Sequence, residues 1–357
     1  MSNLTQDKGP GAFAGDRRDF LRVAAGMVAL PIAVPAPAMA EAQYTPDSKM
    51  MGAAKFIDVD GIRTRYFDGG RGQPLVLIHG GNWPATTSAY DFAPVFDRLA
   101  AHFHVYTFDK LGMGFTDNPK DDADFTMAGV VRHGEGFIRA LGLKNFIIGG
   151  HSRGGLPAAR IACDMAENVS HLVLFDSNTL APDDPNTPER IDPPIIETPP
   201  TLEQIRGQQM KSAQIVQKYF LTDAWFKEEW TIARLPKIKE ADARFRAARD
   251  KWVAAHPDIV AQHPLWKRNL GATTWWTYET KYQTLDMIKA GKLKAPTIII
   301  WGFDDPTAPF KLGVDMMETI SKVVERSELH ILNRAGHFVY NEHADRVTQL
   351  ITDFVGV

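Results

Sequence analysis

The stretch Gly150-His151-Ser152-Arg153-Gly154 decides the fold. It closes the apolar run Asn145-Phe146-Ile147-Ile148 and opens a helical pattern over residues 154–167. A serine held in a sharp strand-to-helix turn needs small neighbours, because its backbone is strained and packed on both sides. Glycines two residues before and two after Ser152 meet that need. Strand, tight turn and helix in this order also announce a chain that alternates β with α.

Outward from the turn the alternation continues both ways. Residues 55–60 and 62–67 read as strands turned at Gly61, an antiparallel start to the sheet. Residues 74–79 and 104–109 have the length and apolarity of buried strands, with a helix at 91–101 between them. The segment 127–141 has helical period, and 145–149 is the strand before the serine. Strands follow at 171–176 and 296–301, and helices at 310–324 and 341–354 flank a strand at 328–332. This pattern predicts an α/β class: a mostly parallel central sheet with helices on both faces.

The alternation stops after residue 180. Residues 181–200 hold seven prolines, which cannot continue a helix or a central strand. Helical patterns follow around 202–220, 223–233 and 240–255, with Trp225, Trp230, Trp252, Trp266, Trp275 and Trp276. An inserted helical lid over 181–294 is therefore expected, dividing an α/β core of 41–180 and 295–357. Its tryptophans serve as packing, and its underside can form an apolar pocket.

The first forty residues read as an address. Asp16-Arg17-Arg18-Asp19-Phe20-Leu21-Arg22 precedes an apolar run over 23–34, and Ala38-Met39-Ala40 has the small-x-small form a signal peptidase reads. The run is shorter than the roughly 20 residues a spanning helix needs. Paired arginines followed by Phe-Leu resemble a twin-arginine export signal, so residues 1–40 are expected to be removed after Ala40. A periplasmic or secreted protein is expected, with the twin-arginine export machinery as a partner. The remaining chain holds no second run of spanning length, and it should be soluble.

Composition narrows the functions. With 40 Lys+Arg against 43 Asp+Glu and a formal charge of -3, there is no basic footprint for nucleic acid. The one cysteine, Cys163, cannot form an intrachain disulfide and reads as a buried small hydrophobe. His102, His104, His133, His171, His256, His263, His330 and His343 show no paired metal-ligand spacing, so no metal and no cofactor are expected. His79 and His151 read as supports for their loops.

Three features join the Ser152 turn. Leu77-Ile78-His79-Gly80-Gly81-Asn82-Trp83 ends an earlier strand in a glycine-rich loop, whose N–H groups can face a developing oxyanion. Ile300-Trp301-Gly302-Phe303-Asp304-Asp305-Pro306 ends a late strand with two acids, and Asn333-Arg334-Ala335-Gly336-His337-Phe338 places a histidine in a glycine turn. A serine hydroxyl is a weak nucleophile until a base takes its proton, and an acid must orient that base.

With these motifs in order, residues 41–357 resemble an α/β-hydrolase with a cap domain. Asp109-Lys110-Leu111-Gly112-Met113-Gly114-Phe115-Thr116-Asp117 and Phe175-Asp176-Ser177-Asn178-Thr179-Leu180-Ala181-Pro182 look most like the meta-cleavage-product hydrolases, which hydrolyse carbon–carbon bonds of ring-cleavage products. The chain departs from that subfamily at His151, where Asn is usual, at Phe338, where Trp is usual, and in carrying a leader. The resemblance implies Ser152 as nucleophile, His337 as base and Asp305 as its partner. Family members most often place the acid three residues after the glycine, here Gly302, with a proline four further on, here Pro309. Asp304 is the rival. Gly81 and Arg153 would supply the oxyanion N–H groups, and Arg153 could also meet an anionic substrate group. Trp83, Trp275, Trp276 and Phe338 are expected to line the substrate pocket.

The expected function is an exported serine hydrolase that acts through an acyl-enzyme on an apolar or aromatic ester or lactone. The leader and the two substitutions favour it. The motif resemblance favours the alternative, carbon–carbon hydrolysis of a diketone or dienoate. A non-catalytic binding protein of the same fold is the third reading.

Overall fold

The structure is a computed structural model that describes residues 48–81, 83, 86–182, 198–262 and 271–357. The leader with its cleavage point, most of the proline-rich stretch, and Trp266 and His263 lie outside the described residues.

Strand β1 (Lys55–Val59) turns at Asp60 and Gly61 into β2 (Ile62–Gly70), and the two pair antiparallel. Both turn residues have positive φ, 54° and 79°, as a two-residue hairpin of this twist demands. Strand β2 pairs antiparallel with β4 (His104–Phe108). From there β3 (Pro74–Ile78), β5 (Phe146–His151), β6 (Val169–Phe175), β7 (Thr297–Gly302) and β8 (Ser327–Leu332) are parallel. The order across the eight-stranded sheet is β1-β2-β4-β3-β5-β6-β7-β8.

Alternation along the central strands sorts the core into two layers. Val76, Ile78, Ile148, Leu174, Ile299 and Trp301 face one side, and Leu75, Leu77, Ile147, Val173, Ile298 and Ile300 the other. The first side is covered by α2 (Met127–Ala140), α3 (Gly155–Asp164) and α9 (Lys311–Ile320), the second by α1 (Ala93–Ala100) and α11 (Ala344–Val355). Each fully buried aliphatic contributes about 1.5–3 kcal/mol, so both faces anchor the strand ends that carry the site.

Between β6 and β7 the lid supplies α4 (Leu202–Lys211), α5 (Asp223–Ala233), α6 (Pro236–Ala255), α7 (Pro257–Gln262) and α8 (Gly271–Lys289). Helices α6 and α8 merge with the first layer through Phe245, Trp275, Trp276 and Leu285. Helix α5 docks through charge. Arg65 on β2 holds Asp109 at 2.7 and 3.0 Å and Glu228 of α5 at 2.6 Å, all three being buried.

Two helical expectations fail. The helix expected over 202–220 ends at Lys211, because the main chain from Gln214 onward bonds to the turn carrying His337 instead of continuing its own ladder. The helix expected over 341–354 is two: α10 (Val339–Glu342) and α11, separated at His343, whose φ of -131° and ψ of 46° are not helical.

Candidate active site

Ser152 sits at the end of β5 with φ of 51°, a left-handed conformation that a side chain adopts only under constraint. The glycines around it are obligatory. A Cβ on Gly150 would overlap the Gly154 carbonyl, and one on Gly154 would overlap the carbonyls of Ile78 and His79. One on Gly155 would meet the Ser177 hydroxyl. That hydroxyl donates to the Ser152 carbonyl at 2.7 Å and fixes the turn from β6.

Three strand ends bring the polar groups together. Nε2 of His337 lies 3.0 Å from Ser152 Oγ, and its Nδ1 lies 2.6 Å from Asp305 Oδ2. The carboxylate can only accept here, so Nδ1 carries the proton and Nε2 is free to take one from the serine. Asp305 is aimed by its own turn, its Oδ1 accepting from the N–H groups of Thr307 and Ala308 at 2.7 and 3.0 Å. The rival acid, Asp304, is exposed, and its N–H bonds to the Ala335 carbonyl. All three grouped residues are buried, Ser152 at 7%, Asp305 at 4% and His337 at 5% exposure, so water screens their interaction little.

His337 is gripped at its backbone as well. Its N–H donates to the Gln214 carbonyl at 2.7 Å, and its carbonyl accepts from His151 Nε2 at 2.7 Å. Burial, with the neighbouring His337 adding to it, holds His151 well below the usual imidazole range, so it is neutral. Its other nitrogen takes the Tyr340 hydroxyl at 3.3 Å. Behind the acid, Asp176 accepts from the Gly302 N–H at 2.8 Å. Burial and then the charge of Asp305 push Asp176 well above the usual carboxylate range.

The loop after β3 lies against the serine, since a Cβ on Gly80 would sit 3.1 Å from Ser152 Cβ. His79 Nδ1 donates to the Gly80 carbonyl at 2.9 Å, while its Nε2 accepts the Lys110 N–H at 3.0 Å. Lys110 Nζ donates to the Gly81 carbonyl at 2.9 Å. Burial, then the nearby Arg153, pushes the Lys110 amine well below its usual range. Two successive peptide units are thus fixed in the loop where Gly81 is expected to help hold an oxyanion.

Of the residues expected to line the pocket, Phe338 packs on the His151 ring at 5.1 Å and on Trp225 at 6.0 Å. Trp83 meets Trp276 at 5.0 Å, Phe125 at 5.2 Å and Phe245 at 5.5 Å, and the Arg153 guanidinium lies 5.9 Å from the Trp276 ring. Trp275 is set back among Phe245 and Trp252. The indole N–H groups of Trp275 and Trp276 are buried with no hydrogen-bond partner among the described residues. Among the described residues no cluster of His, Cys, Asp and Glu is arranged to hold a metal ion.

The sequence reading missed Gln214, Lys110, the Arg65–Asp109–Glu228 group and Glu342. Glu342 accepts from the N–H groups of Val216, Gln217 and Gly336 at 2.8, 2.8 and 2.9 Å. Only its position five residues after His337 hinted at a role.

Fold and site together define a serine hydrolase arrangement on an α/β core. The profile of the Alpha/beta hydrolase family matches residues 75–350, and the chain belongs to that family. It is similar to the 2-hydroxy-6-oxo-6-(2'-aminophenyl)hexa-2,4-dienoic acid hydrolase of Metapseudomonas resinovorans, 25% identical over 88% of this chain and 94% of that protein. It is 27% identical to the 2-hydroxymuconate semialdehyde hydrolase of Pseudomonas sp. strain CF600, over 83% of this chain and 91% of that one. A solved serine hydrolase involved in carbazole degradation shares the fold, with a TM-score of 0.60 at 24% identity over 85% of this chain and 98% of the other.

Proposed function

We propose that the protein hydrolyses a carbon–carbon bond in a vinylogous 1,5-diketone derived from an aromatic ring-cleavage product. The observation that carries this reading is the match to dienoate and semialdehyde hydrolases over more than nine-tenths of their length. It reverses the preference for an ester or lactone that the leader, His151 and Phe338 suggested.

In this reading His337 takes the Ser152 proton as Oγ adds to the ketone carbon, and Asp305 stabilises the imidazolium. The oxyanion rests on the N–H groups of Gly81 and Arg153, each worth about 3–4 kcal/mol at the transition state. The carbon–carbon bond then breaks, its electrons passing into the conjugated enolate, which takes the proton from His337. Water, deprotonated by the same imidazole, releases the acid from Ser152. Arg153, on the serine turn, is the cation suited to a substrate carboxylate.

Offering the purified protein 2-hydroxy-6-oxo-6-phenylhexa-2,4-dienoate and p-nitrophenyl butyrate tests the choice. The expected kcat/KM ratio favours the dienoate by about 100-fold or more; a preference for the ester would return the reading to an esterase. We further propose that residues 1–40 direct twin-arginine export. Replacing Arg17 and Arg18 with Lys is then expected to leave precursor in the cytoplasm, and unaltered export would exclude that route.

A further inference from the structure

The segment between α4 and α5 is part of the lid by sequence, yet its polar bonds run to the two turns that carry the acid and the base. Gln214 receives the His337 N–H at 2.7 Å, and its side-chain amide donates to Thr307 Oγ1 at 2.6 Å, in the turn that aims Asp305. Gln217 reaches the Arg334 carbonyl at 2.9 Å, and the Tyr219 hydroxyl donates to the carbonyls of Asn341 and Glu342 at 2.9 and 2.8 Å. At the centre is one carboxylate. Glu342, 1% exposed, accepts from Val216 and Gln217 through Oε2 and from Gly336, next to the base, through Oε1. Fit is tight at that point, since a Cβ on Gly336 would overlap the Gln214 carbonyl.

We propose that Glu342 is a positioning residue for the base: by binding the main chain of the lid segment and of the His337 turn with one carboxylate, it makes the seated lid a condition for a correctly placed imidazole. The proposal rests on the triad reading of Ser152, His337 and Asp305, whatever the substrate. A carboxylate suits this position because each oxygen is purely an acceptor. A glutamine would present an amide N–H to one of the main-chain donors, releasing either the lid pair or Gly336. His337 could then drift relative to Ser152 Oγ, and a displacement of about 1 Å at a reacting pair costs on the order of 100-fold in rate.

The test uses a fluorophosphonate, whose attachment to Ser152 needs the base but no recognition of a natural substrate. The variants are E342Q and G336A, the second placing a Cβ that overlaps the Gln214 carbonyl and comes within 3.2 Å of Glu342 Oε1, so that it crowds lid and carboxylate at the same seam while keeping Glu342 itself. For each, the labelling rate per folded molecule is followed against pH, with S152A as the blank. The expected result is a labelling rate about 10- to 100-fold lower in both variants. The pH profile of labelling should also depart from that of the wild type, as the bond between the base and Asp305 loosens. If E342Q does not fold, G336A decides alone. Wild-type labelling rate and pH profile in the folded variants would overturn the proposal and leave the triad intact. A wild-type protein labelled no faster than S152A would overturn the triad reading and this one with it.

Discussion

The carbonyl of His337 accepts a hydrogen bond from Nε2 of His151 at 2.7 Å, so the residue beside the nucleophile holds the residue that would activate it. Chain positions far apart in sequence are thereby locked in one register. The rings are 4.8 Å apart, and Phe338 and Tyr340 close the space around them.

His151→Ala removes that donor and leaves a gap between Phe338 and Tyr340. Thermal unfolding should register a loss of about 2–4 kcal/mol, and turnover should fall about 10-fold. His151→Gln reaches the same carbonyl with an amide N–H and should recover most of the turnover. Equal turnover in the alanine variant would show that the bond does not place the base.

Asp305→Asn would leave His337 in the wrong tautomer, and kcat should drop about 10³- to 10⁴-fold. Asp304→Asn alters an exposed side chain outside the triad and should change kcat less than about 2-fold. Steady-state rates on any accepted substrate separate the two acids, and the reverse pattern would reassign the partner.

Ser152→Gly should abolish turnover and raise stability by about 1 kcal/mol, because glycine adopts the φ of 51° without steric cost. Denaturant unfolding measures it. A destabilised glycine variant would mean that the turn is not strained.

Burial pushes the Glu229 carboxyl up to about 7, against the hydrogen bonds from Gln209 and Trp225 that favour its charge. A carboxylate whose folded pKa is raised binds more protons folded than unfolded between about 4.5 and 7. Stability from this group is therefore present at the acid end of that window and is lost as pH rises through it. The expected loss is on the order of 2–3 kcal/mol. Glu229→Gln should flatten the dependence of Tm on pH between about 5 and 8. An unchanged slope would show that Glu229 titrates normally.

Much of the core was legible because its demands are local. The glycines at 150 and 154 answer a steric requirement of one turn, and the two-sided apolar strands answer the sheet. The choice between Asp304 and Asp305 was less so, because adjacent acids in one loop differ only in which one the Thr307 and Ala308 N–H groups capture. The lid was misread after Lys211 because helix-forming residues continue beyond it, while tertiary bonds to His337 and Glu342 override their preference. Glu342 itself looks like any glutamate on a short helix. Its lid partners, Val216 and Gln217, lie more than a hundred residues away, in an insertion whose path no periodicity announces.

The seam between lid and base has a bearing on how this scaffold can be altered. Glu342 and His337 meet residues 214, 216 and 217 only through main-chain atoms. At 216 and 217 every amino acid except proline carries the required N–H. Val216 already faces solvent, so its side chain can be exchanged while the seam stays closed, whereas Gln217 also holds the Arg334 carbonyl through its side-chain amide. Variation at 216 therefore costs the chemistry little, and a label or tether fixed there would report on the seam without opening it.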